Sequence, residues 1–123
     1  MVKDFTDLEI YRLAEKLSEE IYFLSLKFPK DEVFGLTSQI KRATLSVGAN
    51  IAEGFGRYHY KDKINFFYHA RGSLLEVEHF LRFAKIKKWI GEKDYERLTK
   101  EAKNLGVKLN NFIKAIYRHA QSV

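Results

Sequence analysis

The sequence predicts an all-α protein: a single domain over residues 1–123, folded as an antiparallel up-down-up-down four-helix bundle. Three observations support this prediction. Apolar residues recur at steps of three and four along four long segments, as they do on one face of an α-helix. Only one proline and seven glycines interrupt the chain, which favours a few long elements. The connections between the segments are short, and short connections make neighbouring helices antiparallel.

The first helix is predicted over about residues 7 to 27. Thr6, followed three residues later by Glu9, forms a capping-box pattern at its start. Pro29 ends it, because a proline disfavours helical geometry in the preceding residue and has no N–H to donate. Its apolar stripe consists of Ile10, Leu13, Leu17, Ile21, Leu24 and Phe28.

The second helix is predicted over about residues 35 to 53, and Gly54 and Gly56 are interpreted as its end and the following turn. Gly48 lies inside the helix, where glycine costs on the order of 1 kcal/mol relative to alanine. We therefore expect a close contact with another helix at Gly48. The apolar stripe consists of Leu36, Ile40, Ala43, Val47 and Ile51.

The third and fourth helices are predicted over about residues 60 to 88 and 93 to 120, with Gly91 as the stop between them. The stripe of the third helix consists of Ile64, Phe67, Leu74, Val77, Leu81 and Ala84. The fourth helix alternates steps of three and four throughout, as in an a/d seam. That seam consists of Tyr95, Leu98, Ala102, Leu105, Leu109, Phe112 and Ile116.

The amino-acid composition indicates in which cellular compartment the protein is located. The chain contains no cysteine, which is typical of proteins from a reducing compartment, so a cytoplasmic location is expected. No apolar stretch approaches the roughly 20 residues of a membrane span, and no apolar segment follows the charged start of the chain. We therefore expect neither export nor membrane insertion.

No pattern in the sequence predicts catalysis, a cofactor or a metal site. A di-iron bundle needs two Glu-x-x-His pairs, and only one, Glu76 with His79, is present. Gly54, Phe55 and Gly56 resemble part of a phosphate loop, but they follow a helix and lack the lysine-serine ending. We interpret them as a helix end.

The net charge of +6 lies entirely in residues 85–123, because residues 1–84 carry 12 basic and 12 acidic side chains. The basic side chains that face outward on the fourth helix are Lys93, Arg97, Lys100, Lys103, Lys114 and Arg118. A second cluster before the third helix contains Arg57, Lys61 and Lys63, interleaved with Tyr58, His59 and Tyr60. Cations bind phosphates and aromatic rings stack on unpaired bases, so RNA is the expected partner. A merely solvated lysine face is the competing interpretation.

A polar stripe accompanies the core of the second helix. Its members are Gln39, Arg42, Ser46, Asn50 and Glu53. An arginine that is partly buried needs a carboxylate, so we predict an ion pair between Arg42 and either Glu76 or Glu53 that fixes the register of the helices. We expect this network to be structural.

Aromatic residues exceed what one bundle core needs, and several lie beside the main stripes. They are Tyr11, Tyr22, Phe23, Phe66, Tyr68, Phe80 and Phe83. Large exposed aromatic patches are rare on monomers. The sequence therefore predicts a second apolar face that serves as a subunit interface.

The run QIKRATLSVGANIAEGFGRY, from Gln39 to Tyr58, resembles the bacterial four helix bundle protein family, also called 23S rRNA-intervening-sequence proteins. LEIYRLAEKLSEEIY near the start, FGLTSQI and ARGSLLEVE match as well, so the resemblance covers nearly the whole chain. Gly48 departs from the pattern, since many relatives have proline there. The resemblance implies a helical bundle that assembles as a ring-shaped homo-oligomer, a pentamer, in a bacterial cytoplasm. A similar bundle is the accessory subunit of diversity-generating retroelements, where it binds RNA and a reverse transcriptase.

Two functions follow as expectations. The first is a non-enzymatic, homo-oligomeric module that binds RNA, or associates with a ribonucleoprotein, through its basic surfaces. The second is a protein–protein scaffold whose main property is self-assembly, without RNA binding.

Overall fold

The computed structural model describes residues 1–122 and contains four α-helices. They are α1 (Glu9–Ser25), α2 (Leu36–Gly56), α3 (Tyr60–Ile86) and α4 (Glu92–Ser122). Two short 3₁₀ turns, Phe5–Asp7 and Lys30–Glu32, precede α1 and α2, and no strand occurs in these residues. Each helix packs on its neighbours in sequence, and α1 closes on α4. The predicted up-down-up-down bundle is confirmed.

One apolar core runs through the bundle, and the predicted stripes form most of it. The stripe residues of α2 and α3 are all buried, and so are those of α1 except Leu13, which is half-buried. The seam of α4 drifts toward its C-terminal end, where Ile113 is buried while Phe112 and Ile116 are only half-buried. A straight helix of 3.6 residues per turn departs from a strict heptad over several turns, which accounts for the drift.

The first helix begins two residues later than predicted, and the predicted capping box of Thr6 and Glu9 is wrong. Thr6 does not cap α1, because its hydroxyl donates to Asp4 Oδ2 at 2.7 Å within the preceding 3₁₀ turn. The Asp7 carboxylate accepts the backbone N–H groups of Lys3 and Asp4 at 2.9 and 3.0 Å, and these bonds hold its pKa below the usual value. The helix itself begins at Glu9.

The predicted glycine stops are also wrong. α2 continues through Gly54 and Gly56, so these residues are helical and do not form a turn. Gly91 does not end α3 either: Lys88 takes the left-handed conformation, with φ of 62°, and the Trp89 N–H reaches back to the Ala84 carbonyl at 2.9 Å. This bond satisfies a carbonyl that the end of a helix otherwise leaves without a partner.

The two glycines inside α2 meet their neighbours differently. A Cβ added to Gly48 would lie 3.6 Å from Tyr11 Cε1, in ordinary contact with α1. A Cβ added to Gly54 would lie 2.9 Å from Phe67 Cε1, which is closer than real Cβ contacts. The close helix contact expected at Gly48 is present, but Gly54 is the position where only glycine fits.

Candidate nucleic-acid interface

The predicted basic stripe of α4 is divided by ion pairs. Arg97 contacts Glu20 Oε1 at 2.9 Å, Asp94 Oδ1 at 3.4 Å and Glu101 Oε2 at 3.4 Å. The contact with Glu20 joins α4 to α1, while Asp94 and Glu101 lie on α4 itself, so the guanidinium group is committed to the seam between the two helices. Arg97 therefore contributes less free positive charge than the sequence suggests.

Lys103 is committed in the same way on the other side of α4. Its Nζ lies 2.9 Å from Glu78 Oε1 on α3, and this carboxylate raises the pKa of the lysine. Lys93, Lys100, Lys114 and Arg118 are exposed, and none of them lies within ion-pair distance of a carboxylate in residues 1–122. The free cations of α4 thus fall into two pairs, one near each end of the helix.

A pair of carboxyl groups lies behind Arg97. Burial, with help from the neighbouring Glu20, raises the pKa of Glu101 to about 6. Glu20 Oε2 is buried and has no hydrogen-bond partner in residues 1–122. The carboxylates of Glu20 and Glu101 repel each other when both are ionised. The guanidinium group of Arg97 contacts both, so it offsets that repulsion and stabilises the seam.

The cluster between α2 and α3 is also partly structural. Lys63 donates to the carbonyl oxygens of Gly54 and Phe55 at 3.3 and 2.8 Å, so it caps the C-terminal end of α2. Burial lowers the pKa of Lys63. Arg57 pairs with Glu53 at 3.2 Å, and its guanidinium carbon lies 4.6 Å from the centre of the Phe66 ring. Lys61 is exposed and has no ion pair among the described residues.

The predicted ion pair of Arg42 does not form within the monomer. Arg42, Gln39 and Glu76 are exposed, and Glu53 pairs with Arg57. Of the stripe, Ser46 makes a polar contact with α3, and Asn50 bonds to Ser46 within α2. Ser46 Oγ lies 2.9 Å from Ser73 Oγ, and Asn50 Nδ2 donates to the Ser46 carbonyl and hydroxyl oxygens at 2.9 and 3.0 Å.

A second feature combines the free cations with aromatic groups: an open groove of about 810 Å³ between α3 and α4. No carboxylate lines it. The lining residues are Tyr68 and Arg71 from α3 and Asn110, Asn111, Ile113, Lys114, Tyr117 and Arg118 from α4. We refer to these eight residues as the α3–α4 groove.

The side chain of Arg71 is held in place in the α3–α4 groove by two contacts. Arg71 Nη1 donates to Asn110 Oδ1 at 2.9 Å, and the guanidinium carbon lies 4.8 Å from the centre of the Tyr68 ring. Tyr68 and Tyr117 remain 39% and 49% exposed, so both rings are accessible. The groove therefore presents three cations and two tyrosines to a ligand.

The α3–α4 groove lies at the same end of the bundle as the loop before α3. Tyr60, at the start of α3, packs edge-on against His119 near the end of α4, with ring centres 5.3 Å apart. Lys114, Arg118 and the Arg57–Lys61 segment thus share one end. Lys93 and Lys100 lie toward the start of α4, at the opposite end.

Sequence reasoning predicted Lys114 and Arg118 but missed the other polar and aromatic lining residues of the groove. Tyr68 and Arg71 are three residues apart on α3, and Asn110, Lys114 and Tyr117 follow a helical spacing on α4. The pattern could have been found by aligning α3 and α4 as antiparallel neighbours, because that alignment places these two sets side by side.

A separate apolar groove of about 770 Å³ lies between α1 and α2. Its floor contains Leu45, Gly48, Ala49 and Ala52. Its other lining residues are Phe5, Tyr11, Glu15, Ser18, Glu19 and Tyr22. This groove lacks lysine and arginine in its lining and differs in chemistry from the α3–α4 groove.

The pair that suggested a metal, Glu76 and His79, lies exposed on α3. Residues 1–122 bring together no group of three or more side chains suited to holding a metal ion. Among the same residues, no helix is both long enough and apolar enough to cross a membrane.

Comparison with known proteins places the chain in a family. A family model described as 23S rRNA-intervening sequence protein matches residues 6–111. The chain is also similar to a solved protein of unknown function from Bacteroides thetaiotaomicron, assigned to the S23 ribosomal protein family. The two sequences are 24% identical, and the structures match with a TM-score of 0.80 over 85% of this chain and 98% of that one. No curated protein matches the chain. The length and position of the family match show that the chain belongs to the 23S rRNA-intervening sequence protein family.

Proposed function

We propose that this protein is a non-enzymatic, homo-oligomeric module that binds RNA at the α3–α4 groove. The observation that carries the proposal is the composition of that groove, in which Arg71, Lys114 and Arg118 converge with two tyrosines and no carboxylate. Cations without neighbouring carboxylates attract phosphates, while a solvated surface of mixed charge does not favour them. The description of the family as 23S rRNA-intervening sequence proteins is compatible with this proposal.

The proposal predicts RNA binding with a defined salt dependence. Two phosphate contacts on a single strand, at Lys114 and Arg118, give a slope of about −1.4 in a plot of log affinity against log salt, so affinity falls about 7-fold between about 50 and 200 mM salt. Fluorescence anisotropy with a labelled single-stranded RNA of about 16 nucleotides measures this slope. No binding at the lowest salt concentration would remove the proposal.

Self-association is the second part of the proposal. Leu26 and Ile86 are 76% and 62% exposed, and they lie at the end of the bundle where α1 and α3 terminate, opposite the end at which Tyr60 contacts His119. Phe23 and Phe83 are exposed nearby in sequence on the same two helices. Large apolar side chains that are exposed on each of these helices favour contact with another subunit.

We expect light scattering after size exclusion to give a mass that is a multiple of 14.5 kDa, with a pentamer as the stoichiometry that the family resemblance suggests. The double variant Leu26→Glu, Ile86→Glu should lower that mass, because charges cannot be buried without partners. A wild-type mass of 14.5 kDa at the concentration used for RNA binding would contradict self-association.

The alternative function, a scaffold without RNA binding, is favoured by a different observation. The α1–α2 groove is apolar, and its lining contains no lysine or arginine. An oligomer that shows no RNA affinity at low salt would support the scaffold and exclude the RNA-binding function.

A further inference from the structure

We infer that the α3–α4 groove takes unpaired nucleotides, with the base stacked on its tyrosine and arginine side chains and the phosphates on Lys114 and Arg118, and that it discriminates against duplex RNA. This inference deepens the proposed RNA-binding function and rests on it. The evidence lies in the arrangement of the aromatic groups, which phosphate binding alone does not require.

The first step concerns Tyr68 and Arg71. The guanidinium carbon of Arg71 lies 4.8 Å from the centre of the Tyr68 ring, and Asn110 Oδ1 holds the same guanidinium group at 2.9 Å. Two contacts thus fix the guanidinium group of Arg71 before any ligand arrives. A planar guanidinium group packed against an aromatic ring extends the surface on which a base can stack.

The second step concerns exposure. Tyr68 is 39% and Tyr117 49% exposed, and both line the groove from facing helices. The exposed parts of both rings, together with the guanidinium group that lies over Tyr68, are available for stacking on unpaired bases.

The third step concerns the form of the nucleic acid. In a duplex, the faces of each base are covered by the neighbouring base pairs, so a tyrosine beside the helix cannot stack on them. An unpaired base exposes both faces and can leave the backbone to enter a groove. Since the cations and the rings line the same groove, a nucleotide with an unpaired base can contact both, whereas a duplex contacts only the cations.

The amide of Asn111 completes the lining. Asn111 is exposed at the groove, while the Asn110 oxygen is already occupied by Arg71. A free side-chain amide can donate to or accept from a base edge. A single amide reads little sequence, so we expect the site to accept many sequences.

The experiment compares three ligands on the full chain by fluorescence anisotropy at one salt concentration. The ligands are a labelled single-stranded RNA, the same strand annealed to its complement, and an abasic strand of the same length. We expect the single strand to bind about tenfold more tightly than either of the others. Equal affinity for single strand and duplex, or tight binding of the abasic strand, would overturn the inference.

Matched variants test the residues. Tyr68→Leu with Tyr117→Leu keeps apolar volume but removes the rings, and it should weaken single-strand binding about tenfold or more while leaving duplex binding unchanged. Tyr68→Phe with Tyr117→Phe should restore wild-type affinity, because a phenyl ring still stacks. Phe34→Leu, at an exposed ring in the connection between α1 and α2 that has no part in either proposed surface, is the control and should have no effect.

The outcomes separate this inference from the proposed function. Unchanged single-strand affinity in the leucine variant, with an intact circular dichroism spectrum, would overturn the stacking inference while RNA binding stands. Loss of all RNA binding by the wild-type protein at low salt would remove both.

Discussion

Reversing Lys114 and Arg118 to glutamate together is expected to weaken RNA binding about 100-fold. Each residue is placed to make a charge-assisted contact with phosphate, and two such contacts at about 1.5 kcal/mol each amount to about 3 kcal/mol. The slope of log affinity against log salt should also become shallower, because fewer phosphates are neutralised. Anisotropy with the same labelled single strand measures both quantities.

The matched control reverses Lys93 and Lys100, which lie on the same helix, are exposed and have no ion pair among the described residues. Both double variants replace two positive by two negative side chains, so each lowers the net charge from +6 to +2. Any effect of overall charge is therefore equal in the two proteins. An equal loss of affinity in both variants would contradict a local site, and a loss confined to the control would place the site at the other end of the bundle.

The helices could be predicted from the sequence because each stripe is a local property of one segment. Leu98, Ala102, Leu105 and Leu109 are buried as predicted, since a period near 3.6 decides which side of a helix faces the core. The order of the helices followed from their short connections. No information from distant parts of the chain was needed for either step.

The helix ends were less predictable because competing local signals exist there. Thr6 and Asp4 are both good capping residues, and the structure uses Asp4 and Asp7 in a 3₁₀ turn instead of Thr6 and Glu9. After the end of α3, Lys88 takes the left-handed conformation, in which glycine is the preferred residue. Such choices depend on how the next helix must be placed, which a single segment does not encode.

The site depends on contacts between helices, and these limited the sequence prediction most. The sequence shows Arg97 and Lys103 as free cations, but Glu20 and Glu78 neutralise them from neighbouring helices. Arg71 carried no signal as a single residue, yet its contacts with Tyr68 and Asn110 place it in the groove. The register of α4 against α1 decides the pairing with Glu20, and its register against α3 decides the pairing with Glu78 and the contact between Arg71 and Asn110.

Gly54 provides the sharpest test of packing in the bundle. Gly54→Ala should lower the free energy of unfolding by about 1–2 kcal/mol, because overpacking costs about 1–3 kcal/mol and the better helix propensity of alanine offsets up to about 1 kcal/mol. Phe67 cannot yield easily: it is 1% exposed, and its ring packs edge-on against Phe112 at 5.1 Å. Urea unfolding followed by circular dichroism measures the change.

Gly48→Ala is the control in the same helix, and it should change stability in the opposite direction by up to about 1 kcal/mol. Its added Cβ meets Tyr11 at 3.6 Å, so the gain in helix propensity is not offset by a clash. Combining Gly54→Ala with Phe67→Leu then identifies the cause. If the ring is responsible, Gly54→Ala costs clearly less in the leucine background, because a smaller side chain leaves room for the added methyl group. An equal cost in both backgrounds would show that the clash lies with Phe66 Cβ, which the added atom would approach to 3.2 Å, and not with the Phe67 ring.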